Sequence, residues 1–192
     1  MLARSKHPLP SPKIQKIALT FRWYGWLSLW VQLGLAFASI LILMFAASGR
    51  KFSPDASTGI GIGIFWSACS FLALCVTIFF AFRYTRIAKG LLREPDAHLH
   101  PRKADTVQLL RLGVIVGLVG ILLGLCGAGS SLGVLIAKTV SQPPGMAITN
   151  PNRIVRALDV FVVLANFNLI TAHFVGVASS MWLLEKLHLH HR

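Results

Sequence analysis

The stretch Asn150–Glu185, NPNRIVRALDVFVVLANFNLITAHFVGVASSMWLLE, decides the fold. Asn150 followed by Pro151 has the form of a helix start. Asparagine caps the first turn, and proline at the first helical position lacks only an N–H that would have no partner there. From Val160 to Leu184 no side chain is charged, and a helix of that length crosses a bilayer core of about 30 Å. Its polar residues are ordered. Asn152, Asp159, Asn166, His173 and Ser180 recur every seven residues and so draw one slowly drifting line down a single helix face. Facing lipid would cost too much, so the line faces other helices or a water-filled path.

The rest of the chain supplies partners for that face. Its 192 residues have a mean hydropathy of +0.67 and only 13% are charged, about half the share of a soluble domain. Three further runs, Trp23–Gly49, Ala56–Phe82 and Leu112–Ala137, lack Asp, Glu, Lys and Arg. Each is long enough to span and none contains proline. The reading is an all-α, polytopic membrane protein, a bundle of four transmembrane helices with spans at about 23–48, 57–84, 108–138 and 151–185. Residues 13–192 form one domain, preceded by a flexible stretch over 1–12 that contains Pro8, Pro10 and Pro12.

Net charge +13 raises nucleic acid as a partner, and its distribution removes it. Four spans place the N-terminus, the middle loop and the C-terminus on one side. That side carries 14 of the 19 Lys and Arg, including Arg4, Lys6, Arg102, Lys103 and Lys186, while Arg50, Lys51, Lys138, Arg153 and Arg156 lie opposite. The positive-inside rule then puts both termini in the cytosol, where the basic side meets anionic headgroups. Cys69, Cys75 and Cys126 fall within spans and read as free, buried thiols. No signal peptide is visible at the start of the sequence.

Local patterns refine the bundle. Ile14, Ile17, Ala18 and Phe21 fall on one face of a short amphipathic helix, which is expected to lie on the membrane surface before span 1. Trp23 and Tyr24 then sit at the aromatic belt, while Trp30, about 10 Å deeper, reads as a packing residue. Span 1 carries Gln32. Span 2 places Gly63, Ser67, Ser70 and Thr77 on one seam. In span 3, Gly113, Gly117, Gly120, Gly124 and Gly127 are spaced 4, 3, 4 and 3, a surface onto which a neighbouring helix can close. Spans 3 and 4 are therefore expected to pack through the glycine seam and the polar line.

Two readings of the polar residues stand side by side. Gln32, Asp159, Asn166, His173 and Ser180 are either a polar pathway or interhelical glue that fixes register. His173 falls near mid-membrane with Cys69 and Cys126 close to its level, a set that would suit a soft or borderline metal. Asp159 is either an outer-mouth cation binder or the partner of Arg156, three residues earlier. His98, His100, His188, His190 and His191, with His7, lie on the basic side and form either a metal-handling surface or solvated loop and tail. Nothing points to an enzyme. The sequence has no nucleophile–base pair, phosphate loop or paired carboxylates.

Two segments carry a resemblance: Gly25-Trp26-Leu27-Ser28-Leu29-Trp30-Val31-Gln32-Leu33-Gly34-Leu35, and Asn150-Pro151-Asn152-Arg153-Ile154-Val155-Arg156-Ala157-Leu158-Asp159-Val160-Phe161 running on to Thr171-Ala172-His173-Phe174-Val175-Gly176. They resemble the first and last spans of a cyanobacterial and plastid family known as a domain of unknown function. Its plant members are described as a chloroplast inner-envelope protein, both a translocon component and an iron permease. The likeness covers most of the chain from about Lys13. It implies four membrane helices and a role in transport, with iron the favoured substrate. The long transit peptide of the plant members has no counterpart here, which implies a bacterial member in the plasma or thylakoid membrane of a cyanobacterial-type cell.

Two functions follow as expectations. The first is a small permease or channel component for a metal cation, acting as a homo-oligomer. The second is a non-transporting accessory or assembly subunit of a larger, photosynthetic membrane complex, in contact with pigment and with His173 as an axial ligand. Topology is directly testable. Cysteines introduced by Ala97→Cys and Ala147→Cys should label from opposite sides of sealed vesicles, and labelling of both from one side would remove the four-span arrangement.

Overall fold

The computed structural model describes residues 12–51, 58–93, 99–141 and 157–189, with side chains described within the apolar parts of those segments. The described residues are helical almost throughout: α1 Pro12–Lys51, α2 Thr58–Arg93, α3 Leu99–Val140 and α4 Ala157–Leu189. Each helix contains a stretch long and apolar enough to cross a membrane: Arg22–Ser48, Gly61–Arg86, Asp105–Val140 and Ala157–Lys186. The protein is therefore a multi-pass membrane protein. Prolines sit where they do least harm, Pro12 opening α1 and Pro101 within the first turn of α3, whose N–H groups have no intrahelical acceptor. The helix-start signals at Asn150 and Pro151 lie outside the described residues.

One expectation changes. The amphipathic segment before span 1 is not a separate surface helix but the first turns of α1, which runs unbroken for 40 residues. At 1.5 Å per residue that is about 60 Å, twice the hydrocarbon thickness. The segment Lys13–Phe21 has no glycine and no proline after Pro12, so nothing in it obliges the helix to stop. α2 and α3 likewise extend beyond their apolar stretches at the same end of the bundle.

The four helices alternate in direction. Gly25 of α1 meets Thr85 of α2, Tyr84 of α2 meets Leu109 of α3, and Gly113 of α3 faces Ser180 of α4. Tyr24 of α1 stacks on Trp182 of α4 with ring centroids 3.9 Å apart. All these contacts lie at one end, which also holds the start of α1 and the end of α4. At the far end Gly63 of α2 meets Ser131 of α3, and Phe45 of α1 meets Phe161 of α4. α1 packs on both α2 and α4, α3 packs on both α2 and α4, and α2 also touches α4 across the diagonal.

The packing is inside-out relative to a soluble bundle. Trp23, Trp30, Phe37, Phe45, Phe65, Leu72, Leu122 and Phe174 point outward, as suits a surface solvated by lipid tails. The interior instead holds small and polar groups: Ser28, Gln32, Ser39, Ser67, Ser70, Thr77, Ser131, Asn166, His173 and Ser180 are all buried. Apolar residues fill three layers between them. These are Tyr84 with Leu110 and Leu183 at the basic end, Leu74 with Leu169 and Ala172 in the middle, and Ala46 with Val162 at the far end.

Two details depart from the sequence reading. Trp30 is 59% exposed and stacks on Trp26 at 5.9 Å, so it covers the outside of α1 and does not enter the core. The three thiols are free, but Cys75 and Cys126 are exposed and Cys69 is half-buried. With the polar seams of α2 and α3 turned inward, the apolar thiol side chains are left to the outer faces.

The α3–α4 seam yields a sharp expectation. A Cβ at Gly120 would overlap the His173 ring, and one at Gly124 would lie 2.8 Å from Ile170 Cγ1, whereas Val119 is 48% exposed. Gly120→Leu or Gly124→Leu should therefore destabilise the protein by about 1–3 kcal/mol or more, and Val119→Leu by a few tenths at most. Unfolding by increasing detergent denaturant checks this. A Gly124→Leu protein as stable as the parent would mean that the seam does not bear the interface.

Candidate functional site

α4 brings its polar line to the inside. Asp159, Asn166, His173 and Ser180 are all buried, and the seven-residue spacing keeps them on the face that meets α3. The fifth member, Asn152, lies outside the described residues. Opposite the line stands the glycine seam, and each glycine receives a side chain. Gly127 accommodates Asn166, Gly124 accommodates Ile170, Gly120 accommodates the His173 ring, Gly117 accommodates Val177, and Gly113 accommodates the Tyr84 hydroxyl with Ser180 beside it. Glycine is required at these points because a Cβ would occupy the volume of the arriving group.

The middle of the line is a knot of three helices. His173 is fully buried, and its Nε2–H donates to the backbone carbonyl of Ser70 on α2 over 3.1 Å. The Ser70 hydroxyl in turn donates to the carbonyl of Gly120 on α3 over 2.9 Å. A carbonyl oxygen only accepts, so Nε2 carries a hydrogen, and in the neutral ring Nδ1 is then a bare lone pair. Nδ1 has no hydrogen-bond partner. Beside the knot, Gln32 of α1 lies 2.8 Å from where a Cβ at Gly176 of α4 would stand. Its amide donates to Ser28 Oγ over 2.8 Å and its carbonyl accepts from Thr77 Oγ1 of α2 over 3.3 Å. Gln32 therefore ties α1 to α2 while resting on α4.

The ends of the line close differently. At the far end Asp159 accepts from Lys138 Nζ of α3 over 2.7 Å, an ion pair whose side chains are 12% and 7% exposed for Lys138 and Asp159. Arg156, its expected partner from the sequence, lies outside the described residues. At the basic end Ser180 Oγ lies 3.4 Å from the Tyr84 hydroxyl, which reaches the Leu109 carbonyl over 3.4 Å. Asn166 donates to the Val162 carbonyl one turn back over 2.9 Å, leaving its Oδ1 without a partner.

This arrangement restricts the chemistry. The His173 ring fills the Gly120 notch with Nε2 engaged, so it does not fit as an axial ligand to a pigment. The thiols that the sequence placed near its level do not join it, since Cys126 is exposed and Cys69 is only half-buried. Among the described residues no group of three or more His, Cys, Asp or Glu is gathered as a metal site. The side chains of His7, His98, His100, His188, His190 and His191 lie outside what is described.

Sequence reasoning missed Lys138, Tyr84, Ser28 and Ser39 as interior partners. Ser28 carried a signal, being four residues before Gln32 and so on the same helix face. Lys138 counted only as a loop charge. Ser39 donates to the Ala165 carbonyl over 3.4 Å, a cross-helix contact that no spacing announces.

No solved structure matches the chain. Protein TIC 21, chloroplastic, from Arabidopsis thaliana is 30% identical over 181 residues, covering 91% of this chain. The match covers 59% of that relative, so the chain spans less than two thirds of its length. The family model described as protein of unknown function (DUF3611) matches residues 11–188. The match takes in the four helices, short only of the last residue of α4, and the whole polar line from Asn152 to Ser180, and the chain belongs to this family.

Proposed function

We propose that the protein is a small, non-enzymatic permease or channel subunit that moves a metal cation, with iron the favoured substrate, and that it works as an oligomer. The transport role rests on the family resemblance of the first and last spans, strengthened by the likeness to the chloroplast relative. The observation that carries the oligomer is the filled seam. The glycines that could have left an opening between α3 and α4 are occupied by Asn166, Ile170, His173 and Val177, so the interior of one protomer offers packing in place of a conduit. A path for an ion then lies between protomers, or between this protein and a partner. We take the membrane to be that of a cyanobacterial-type cell from the family resemblance, and place both termini in the cytosol against anionic headgroups because the basic residues gather on the side of the sequence that holds the termini.

A second reading, an accessory subunit that does not transport, is favoured by the aromatic strip on the outside of α1. Trp23, Trp26 and Trp30 are exposed there, and the last two stack on each other. Such a strip suits a helical partner as well as it suits lipid.

Uptake of labelled iron into proteoliposomes holding only this protein separates the readings. Transport is expected for the permease. Absence of uptake, with co-purification of a larger complex, supports the accessory subunit. His173→Ala should lower the amount of folded protein, at a cost of about 1 kcal/mol for the lost interhelical bond and more for the emptied notch. Flux per folded molecule should stay intact, because the path lies elsewhere. A His173→Ala protein that folds fully and loses flux would place the path inside the protomer after all.

A further inference from the structure

The knot at His173 does more than fill space, because its buried, uncharged surroundings suit the neutral ring better than a cationic one. Nε2–H is committed to the Ser70 carbonyl, and Nδ1 is a buried lone pair without a partner. A proton added to Nδ1 would create a cationic ring whose second N–H points at no acceptor. The relief the described surroundings offer the charge is the Ser70 carbonyl already held by Nε2–H, set against full burial. α3 faces the ring with Gly120, α2 with Ser70, and α1 meets α4 one turn further on through Gln32, none of them charged. Among the described residues the titratable side chains nearest this level are Cys69, next to Ser70 and half-buried on α2, then Cys75, exposed on α2, and Cys126, exposed on α3. Along α4 the closest carboxylates are Asp159 and Glu185, 14 and 12 residues away, and the former is engaged with Lys138.

We infer that His173 is a proton-operated clasp. Neutral, the ring holds α4 against the Ser70 carbonyl of α2 and seats in the Gly120 notch of α3. When a proton from the aqueous phase adds to Nδ1, the imidazolium leaves the notch and the hydrogen bond to Ser70 breaks, so α4 loosens from α2 and α3 at mid-membrane. Acid therefore favours the open arrangement and neutral pH the closed one. The device is independent of what, if anything, the protein transports, and it uses the bistability of a packed interface. Gly120 makes the seat possible, so it belongs to the clasp as much as the ring does.

The test is a distance measurement between α2 and α4 on the full chain in nanodiscs. The native Cys75 and an Ala178→Cys substitution, both at exposed positions, carry spin labels after Cys69→Ala and Cys126→Ala. Distances are read at about pH 7.5 and about pH 4, the lower value well below the ordinary histidine titration because the ring is fully buried. The parent should shift to longer, broader distances in acid. His173→Gln, whose amide can still donate to the Ser70 carbonyl but does not titrate, should give one distribution at both pH values; His173→Asn serves in the same way if the glutamine variant does not fold. Gly120→Ala should shift toward the open distribution already at neutral pH. A parent distribution that ignores pH overturns the inference. So does an acid shift that persists in the glutamine or asparagine variant, because another group would then be responsible.

Discussion

The bundle depends on how closely α4 can approach α3. In lipid there is no hydrophobic gain from burying leucine against leucine, because the tails are equally apolar, so helices associate through close packing and polar contacts. The five glycines of α3 lower its surface enough for α4 to set side chains into it. The groups that enter include the polar ones that α4 could not have shown to lipid. The same contact thus solves two problems: it supplies dispersion contacts across the interface and removes Asn166 and His173 from the hydrocarbon. The cross-helix bonds from Ser70, Gln32 and Ser39 are arranged around that approach and would have no fixed geometry without it.

A bundle built this way is closed. Its polar residues face inward, and apart from Ser131 Oγ, Asn166 Oδ1 and His173 Nδ1 they are engaged with one another and with backbone carbonyls. The ion pair of Lys138 with Asp159 illustrates the principle, since each group is kept inside the apolar stretch of its helix by the other. On the proposed reading, function is directed outward, to whatever meets the exposed faces of α1 and α3, or to changes in the seam itself. The second possibility centres on His173, where a single group is pinned to two other helices and one ring nitrogen is left over.

Much of this was written in the periodicity. The charge-free runs marked four spans, the 4, 3, 4, 3 glycine spacing marked the surface of α3, and the seven-residue polar spacing marked the inner face of α4. Periodicity gives the face a residue occupies and its depth. It does not give the rotation of that face relative to a neighbour. For that reason Cys126 could be placed at the level of His173 and still point away from it, and Trp30 could lie deep in the membrane and still face outward. Contacts between distant helices were the least legible. Tyr84 with Ser180 and Lys138 with Asp159 join residues 96 and 21 positions apart, and no local pattern marks either pair. The unbroken α1 was illegible for a different reason. A change from amphipathic to apolar composition marks where the membrane begins, and the backbone of a helix continues through it unaltered.

The claim that α3 and α4 are joined by side chains set into glycine notches is tested most directly by a double-mutant cycle on Gly120 and His173. Unfolding free energies are measured for the parent, Gly120→Ala, His173→Ala and the pair in the same bilayer mimic. The added methyl of Gly120→Ala collides with the imidazole in the parent but enters vacated space when the ring is gone. The account predicts that Gly120→Ala is clearly destabilising alone and nearly neutral or stabilising beside His173→Ala, with a coupling of about 0.5–3 kcal/mol. Strictly additive effects would show that the ring does not sit in the notch and would contradict the account.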